Sequence, residues 1–253
     1  MRIEIPKFDS QKDLFRHLID NKKELITQKK SMPITSDIVG FSPALKRAAL
    51  KAADNGELIL EVIANLSNWY DSHQDVMLPG SWANSIAQKG KNIPMIHDHI
   101  HSVTSIVAET LDVYAAPVNV SLLGYESDVK SSEALIFKIK PIEKLNPTVY
   151  NLYKMGLIKQ HSIGLQYVNI ELAVNDPDEE TEYKAYQKYY PQIINKSDVD
   201  KNGYFWAIKE AKIFENSAVL FGSNSMTPVL TTNQPPQGTE GNKQNLFTLS
   251  LKP

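Results

Sequence analysis

The chain of 253 residues carries 27 basic and 29 acidic side chains, a net charge of −2, and 42% hydrophobic residues. Length and apolar content suit one large domain with appendages, and the near-neutral charge leaves no footprint for a nucleic-acid partner. The absence of cysteine excludes disulfides, thiolate metal sites and a cysteine nucleophile, and no apolar run approaches the ~20 residues of a membrane span.

The N-terminus, Met1-Arg2-Ile3-Glu4-Ile5-Pro6, lacks the long apolar core of a signal peptide, so a soluble cytoplasmic protein is expected. Residues 11–30 form an amphipathic pattern, with Leu14, Phe15, Leu18, Ile19, Leu25 and Ile26 on one stripe at helical spacing. Lys22, Lys23, Lys29 and Lys30 fall largely outside that stripe, and Met32-Pro33 ends it. A second helix is punctuated by Ser42 as N-cap, Pro43 in the first turn and Asn55-Gly56 as its stop. Residues 1–55 therefore read as an N-terminal helical extension, packed on the main domain or serving as a docking arm.

From Gly56 the pattern changes to strands. Leu58–Ala64 is the first, Trp82–Ala87 a short helix closed by Gly90, and Ile93–His101 and Val103–Ala108 two further strand candidates. Ala134–Lys140 alternates as a half-buried strand should, and Asn146-Pro147 opens a helix that Gly156 stops. Leu157–Glu171 and Tyr204–Phe221 are long strand-like stretches. Residues 174–203, with an acidic helix start at Asp176-Pro177-Asp178 and a tyrosine-rich run, read as a surface insertion. From Thr231 the chain turns to Pro, Gln, Gly, Asn and Thr, the composition of a flexible tail over 231–253. Short strands with few helices between them predict an α+β fold, mainly β, with a closed or partly closed β-barrel core and flanking helices.

Three of the chain's six histidines sit at alternate positions in Met95-Ile96-His97-Asp98-His99-Ile100-His101. On a strand, His97, His99 and His101 would share one face and Asp98 the other. Imidazole is suited both to proton transfer near neutral pH and to metal ligation. Same-face neighbours lie roughly 6.5–7 Å apart, which suits two ligands of one ion better than three. No His-Glu-x-x-His motif accompanies them, so a metal-dependent hydrolase built on this cluster stands as the alternative. Asp198-Val199-Asp200-Lys201-Asn202-Gly203 matches the first half of a calcium loop, but Lys209 occupies the position that needs a bidentate Glu. The strand-like residues that follow favour Lys201-Asn202-Gly203 as a hairpin turn.

Ser162 lies in an apolar strand, Gly156 to Leu165, outside any Gly-x-Ser-x-Gly elbow. A serine nucleophile needs a base, and the base an orienting partner. The histidine segment supplies one. Glu215, in the apolar run Lys212–Val219, supplies the other, since an unpaired carboxylate there would be costly and an imidazole relieves that cost.

In this order the segments resemble the prohead maturation proteases of tailed bacteriophages, which are similar in fold to the herpesvirus capsid maturation proteases. Four stretches between Gly56 and Val229 carry the resemblance: Asp71 through Trp82, with Asp75 and Pro79-Gly80; Pro94-Met95-Ile96-His97-Asp98-His99; Gly156 through Gly164, ending Ser162-Ile163-Gly164; and Ile213-Phe214-Glu215-Asn216-Ser217-Ala218-Val219. The resemblance implies a herpesvirus-protease-like core over residues 56–230, with His99 as base, Ser162 as nucleophile and Glu215 as the third member, Glu210 being the alternative carboxylate. His97, His101 and His161 become neighbours. It implies a serine endopeptidase that cleaves the major capsid protein or its scaffold region, and itself, inside the immature capsid in the host cytoplasm, without metal or other cofactor. A homo-oligomer is compatible with this reading. A non-enzymatic capsid or scaffold component is the remaining alternative.

Overall fold

The computed structural model describes residues 5–31 and 57–231. The helix expected at Ser42–Ala53 and the tail beyond Thr231 lie outside them. The amphipathic stretch 11–30 forms two helices, α1 (Gln11–Asp20) and α2 (Lys22–Ser31). Asn21 divides them, because its side-chain amide and its backbone N–H both donate to the His17 carbonyl and end the first helix. Phe15, Leu18 and Leu25 are buried in the main core, so the pair packs on the sheet. Lys29, expected on the solvent side, is buried as well.

Eight strands form one mixed sheet: β1 (Leu60–Leu66), β2 (Asp75–Met77), β3 (Met95–His97), β4 (Ala108–Asn119), β5 (Ser131–Pro141), β6 (Gln160–Val174), β7 (Tyr204–Val219) and β8 (Val229–Thr231). The helices α3 (Ala83–Lys89), α4 (Pro147–Lys154), α5 (Glu180–Tyr189) and α6 (Lys196–Asn202) flank it. The fold is thus α+β and mainly β. β7 organises it. One edge takes β2 at Trp206–Ile208 and then β3 at Asn216–Ala218, both parallel, and the other edge pairs with β6 along its length, antiparallel. From β3 the sheet continues through β4, β5 and β1 to β8.

The sheet is not closed into a barrel, which corrects the sequence expectation: β6 and β8, at the two ends of the ladder, do not pair with each other. The gap between β1 and β6 is crossed instead by residues 220–228. The Gly222 N–H donates to Gln160 Oε1 (2.8 Å) and the His161 N–H to Thr227 Oγ1 (3.3 Å), while the Ile63 N–H reaches the Pro228 carbonyl (3.0 Å). Side chains and a loop take the place that ladder hydrogen bonds would hold in a closed barrel.

Two further expectations change. Residues 174–203 are more than a surface insertion. Ala185, Tyr186, Tyr189, Ile193 and Val199 are buried with Phe205, Ala207 and Val76 in a second core on the sheet. Asp198 to Asn202 are helical, so neither a hairpin turn nor a calcium loop forms. Gly203 caps that helix at φ 72°, and a Cβ there would lie 2.7 Å from the Phe15 ring, so glycine is required twice over. Among the described residues no helix is long and apolar enough to cross a membrane.

Candidate active site

The site is built at the end of the sheet where β3 and β7 finish and β6 begins. In the β6–β7 ladder Ser162 lies opposite Ser217 and Gly164 opposite Glu215. Directly paired residues share a face, so Ser162, Gly164, Glu215 and Ser217 form a two-by-two block on one side. Glu215 lies flat across Gly164: a Cβ at position 164 would fall 2.3 Å from Glu215 Oε1. The register therefore needs glycine there, for clearance and not for backbone freedom.

The histidine segment does not run on as a strand. β3 ends at His97, and Asp98 and His99 both take positive φ, 49° and 53°. The Ile100 N–H returns to the His97 carbonyl at 3.0 Å, which closes a turn with two left-handed central residues. Such backbone is unfavourable for non-glycine residues, though Asp and His tolerate it better than most. The loop is pinned from beyond: Ser105 Oγ donates to the Ile100 and Ser102 carbonyls, and Ser102 caps the 3-10 turn Val103–Ser105. The expected shared face of His97, His99 and His101 does not exist. His97 pairs with Ala218 and so takes the face opposite Glu215 and Ser217, where its Nδ1 meets Asp98 Oδ2 at 2.9 Å.

The turn swings His99 over the block. Its Nδ1 lies 2.6 Å from Glu215 Oε1, and its backbone N–H donates to Ser217 Oγ at 2.9 Å. Both side chains are removed from water, 9% and 3% exposed, so the contact works at low dielectric, where charge-assisted hydrogen bonds are strongest. His101 Nε2 stands 3.9 Å from the same oxygen but is half exposed. Glu215 Oε2 is buried and has no hydrogen-bond partner among the described residues. With Nδ1 on the carboxylate, the imidazole keeps its proton at Nδ1, and Nε2 is the basic nitrogen. Of the expected residues, His99 and Glu215 are in direct contact, and Ser162 is brought to them by its register with Ser217. Glu210 is elsewhere, accepting from Asn84 Nδ2 at 2.8 Å. His161 faces away, fully buried, with Nε2 on the Tyr153 hydroxyl (2.8 Å), and burial pulls its pKa down to about 3.

Sequence reasoning left Ser217 and Gly164 without roles. The signal was the matching period of two, Ser162-x-Gly164 against Glu215-x-Ser217, which is visible once the two strands are known to pair.

A second polar cluster lies under α2. Lys29 Nζ meets Asp75 Oδ1 at 2.6 Å, and the Tyr167 hydroxyl donates to Asp75 Oδ2 at 2.5 Å. Asp71 Oδ1 accepts the backbone N–H groups of His73 (2.8 Å) and Asp75 (3.0 Å). Burial, and then the Asp75 charge, push the Asp71 carboxyl up to about 8. Asp71, His73 and Asp75 are the one set of three His or carboxylate groups among the described residues whose ligand atoms lie within 4.8 Å of one another. Lys29 already supplies a cation to it. The histidine triplet, the sequence's metal candidate, forms no such set. The chain matches no family model, no curated protein and no solved structure.

Proposed function

We propose that this chain is a serine endopeptidase of the prohead maturation kind, with Ser162 as nucleophile, His99 as general base and Glu215 as the residue that positions it. The observation that carries the reading is the buried 2.6 Å contact between His99 Nδ1 and Glu215 Oε1, made beside the strand position that holds Ser162. An imidazole held by a carboxylate at Nδ1 and set next to a strand serine is the arrangement acyl transfer needs.

In this mechanism His99 Nε2 takes the proton from Ser162 Oγ as it attacks the scissile carbonyl, then gives it to the leaving amine. Glu215 stabilises the imidazolium formed in between. Water reverses the sequence on the acyl-enzyme, and backbone N–H groups bind the oxyanion. The His99 turn, the serine pins behind it and the glycine under Glu215 all serve to hold the imidazole in one place, which is where effective molarity comes from. The herpesvirus-protease-like core, action inside the immature capsid, and the major capsid protein, its scaffold region or the chain itself as substrate follow from the sequence resemblance and belong to the same proposal.

The test is co-expression with the cognate major capsid protein. Wild type processes it, and Ser162→Ala and His99→Ala do not. Undiminished processing by either variant contradicts the reading. His97→Ala retains most activity, since His97 lies on the other face. A chain present in stoichiometric amount in mature particles with no cleavage anywhere would instead mark a non-enzymatic capsid component.

A further inference from the structure

Beside Ser162 the β6–β7 ladder leaves one backbone donor unused. Along an antiparallel pair, residues alternate between exchanging both backbone bonds with the partner and turning both groups away from it. Three contacts fix which residues do which. The Asn216 N–H donates to the Pro94 carbonyl and the Asp98 N–H to the Ala218 carbonyl, both at 3.0 Å, so Asn216 and Ala218 turn toward β3. The His161 N–H donates to Thr227 Oγ1 at 3.3 Å, so His161, opposite Ala218, turns to the outer edge of β6. Ser162 and Ser217, between these pairs, therefore bond to each other, and the Ser162 N–H is held by the Ser217 carbonyl. Ile163, opposite Asn216, turns to the outer edge as His161 does.

No strand pairs with that outer edge. Residues 220–228 cover it at His161, where Thr227 takes the N–H and a Cβ on Gly222 would lie 2.9 Å from the carbonyl oxygen. The next outward group is the Ile163 N–H, which has no partner among the described residues. Ile163 is 5% exposed, and an unpaired N–H in so buried a residue is rare. Its side chain is anchored in the main core, on the face opposite Ser162, so the N–H is held in place before any substrate arrives.

The position suits one task. His99 reaches the block from the β3 side, with Nδ1 on Glu215, whereas the Ile163 N–H lies on the outer side of Ser162. A carbonyl attacked by Ser162 Oγ would meet its base on one side and a fixed backbone donor on the other. The N–H that follows the nucleophile is used in this way by α/β-hydrolases, on another fold. We infer that the Ile163 backbone N–H is an oxyanion donor for acyl transfer at Ser162, an inference that rests on the peptidase reading of this site. As Oγ bonds to the scissile carbonyl carbon, its proton passes to His99 Nε2 and the carbonyl π pair moves onto oxygen, where the Ile163 N–H meets it. When that pair returns, the C–N bond breaks and the amine leaves with the proton from His99. The donor strengthens as charge develops, so it acts on kcat and hardly on ground-state binding.

The test replaces residue 163 in the full chain by the α-hydroxy acid counterpart of isoleucine, which exchanges the N–H for an ester oxygen and keeps the side chain. On a capsid-site peptide, kcat is expected to fall about 10²–10³-fold with KM within about threefold. The unfolding midpoint stays within about 4 °C, since the lost donor had no partner in the fold. A second measurement needs no substitution. In the wild-type chain a fluorophosphonate adduct on Ser162 places a phosphonyl oxygen where the oxyanion forms, and the Ile163 amide proton moves downfield further than that of His161. Activity that requires Ser162 but is undiminished in the ester variant overturns the assignment and leaves the peptidase reading standing, as does an Ile163 amide unmoved by the adduct. Activity that survives Ser162→Ala overturns both.

Discussion

Two buried carboxylates on this sheet are treated in opposite ways. Asp75, beneath α2, has both oxygens engaged, one by the Lys29 ammonium and one by the Tyr167 hydroxyl. Glu215, at the far end of β7, has one oxygen on His99 and the other buried with no partner among the described residues. The first is a closed network that locks the N-terminal helices onto the sheet. The second is held in position but left incompletely satisfied, against a histidine that stands on left-handed backbone, where a closed network would be expected if stability were its only task. Buried polar groups are nearly always paired, and the exceptions gather where chemistry is done.

The contrast can be broken from either side, and the site side gives the larger effects. Ser162→Ala and His99→Ala each lower kcat by about 10⁴-fold or more, with substrate affinity preserved, as measured on a peptide spanning a capsid cleavage site. Glu215→Gln, which keeps the shape but removes the charge and the tautomer control, costs about 10³–10⁴-fold. Gly164→Ala acts through it. The added methyl displaces the carboxylate from His99, so activity falls about 10²-fold while thermal stability drops by about 1–3 kcal/mol. Loss of stability in Gly164→Ala with kcat intact would mean that Glu215 does not position the imidazole.

On the other side, Lys29→Met leaves the buried Asp75 without its cation partner and destabilises the fold by about 3–5 kcal/mol in chemical denaturation. At a temperature where the variant is still folded, kcat is expected to stay within about threefold of wild type.

The last effects are spread across pH, and the two shifted groups pull in opposite directions. Asp71 is raised from 3.8 to about 8, so the folded chain keeps a proton that the unfolded chain releases. Its contribution is full below the unfolded value and is lost as pH rises toward 8. His161 is lowered from 6.5 to about 3, so the unfolded chain binds a proton that the fold refuses. Its penalty is absent above 6.5 and grows as pH falls toward 3. Asp71→Asn should therefore remove a loss of stability that runs as pH rises from about 4 to 8, and His161→Gln a loss that runs as pH falls below 6.5, in denaturation series run between pH 4 and 9.

Much of this was legible in the sequence, and the failures have local causes. Periodicity and caps located α3, α4 and the strands β1, β5, β6 and β7, because those signals are set by neighbours a few residues away. Val103–Ala108 was expected as a strand, but Val103–Ser105 is a 3-10 turn and the true strand, β4, runs from Ala108 to Asn119. Its register, with a bulge between Thr110 and Asp112 and a proline at 117, hides the alternation. Closure of the barrel was beyond sequence reasoning, since it depends on whether β6 finds a neighbour. Here residues 220–228 bridge that side with side chains. The histidine triplet shows the same limit most sharply. Alternation predicted three imidazoles on one face, and two left-handed residues undo it, sending His97 to one side and His99 to the other. What survived was the long-range pairing of His99 with Glu215, 116 residues apart, because a carboxylate in an apolar strand needs a partner wherever the chain can supply one.

The most direct test is labelling of the intact protein with a fluorophosphonate, followed by peptide mapping by mass spectrometry. The account predicts a single adduct on Ser162 that is lost in His99→Ala and slowed at least tenfold in Glu215→Gln. A wild-type chain that takes no label, or a Ser162 adduct that forms as fast without His99, would contradict it.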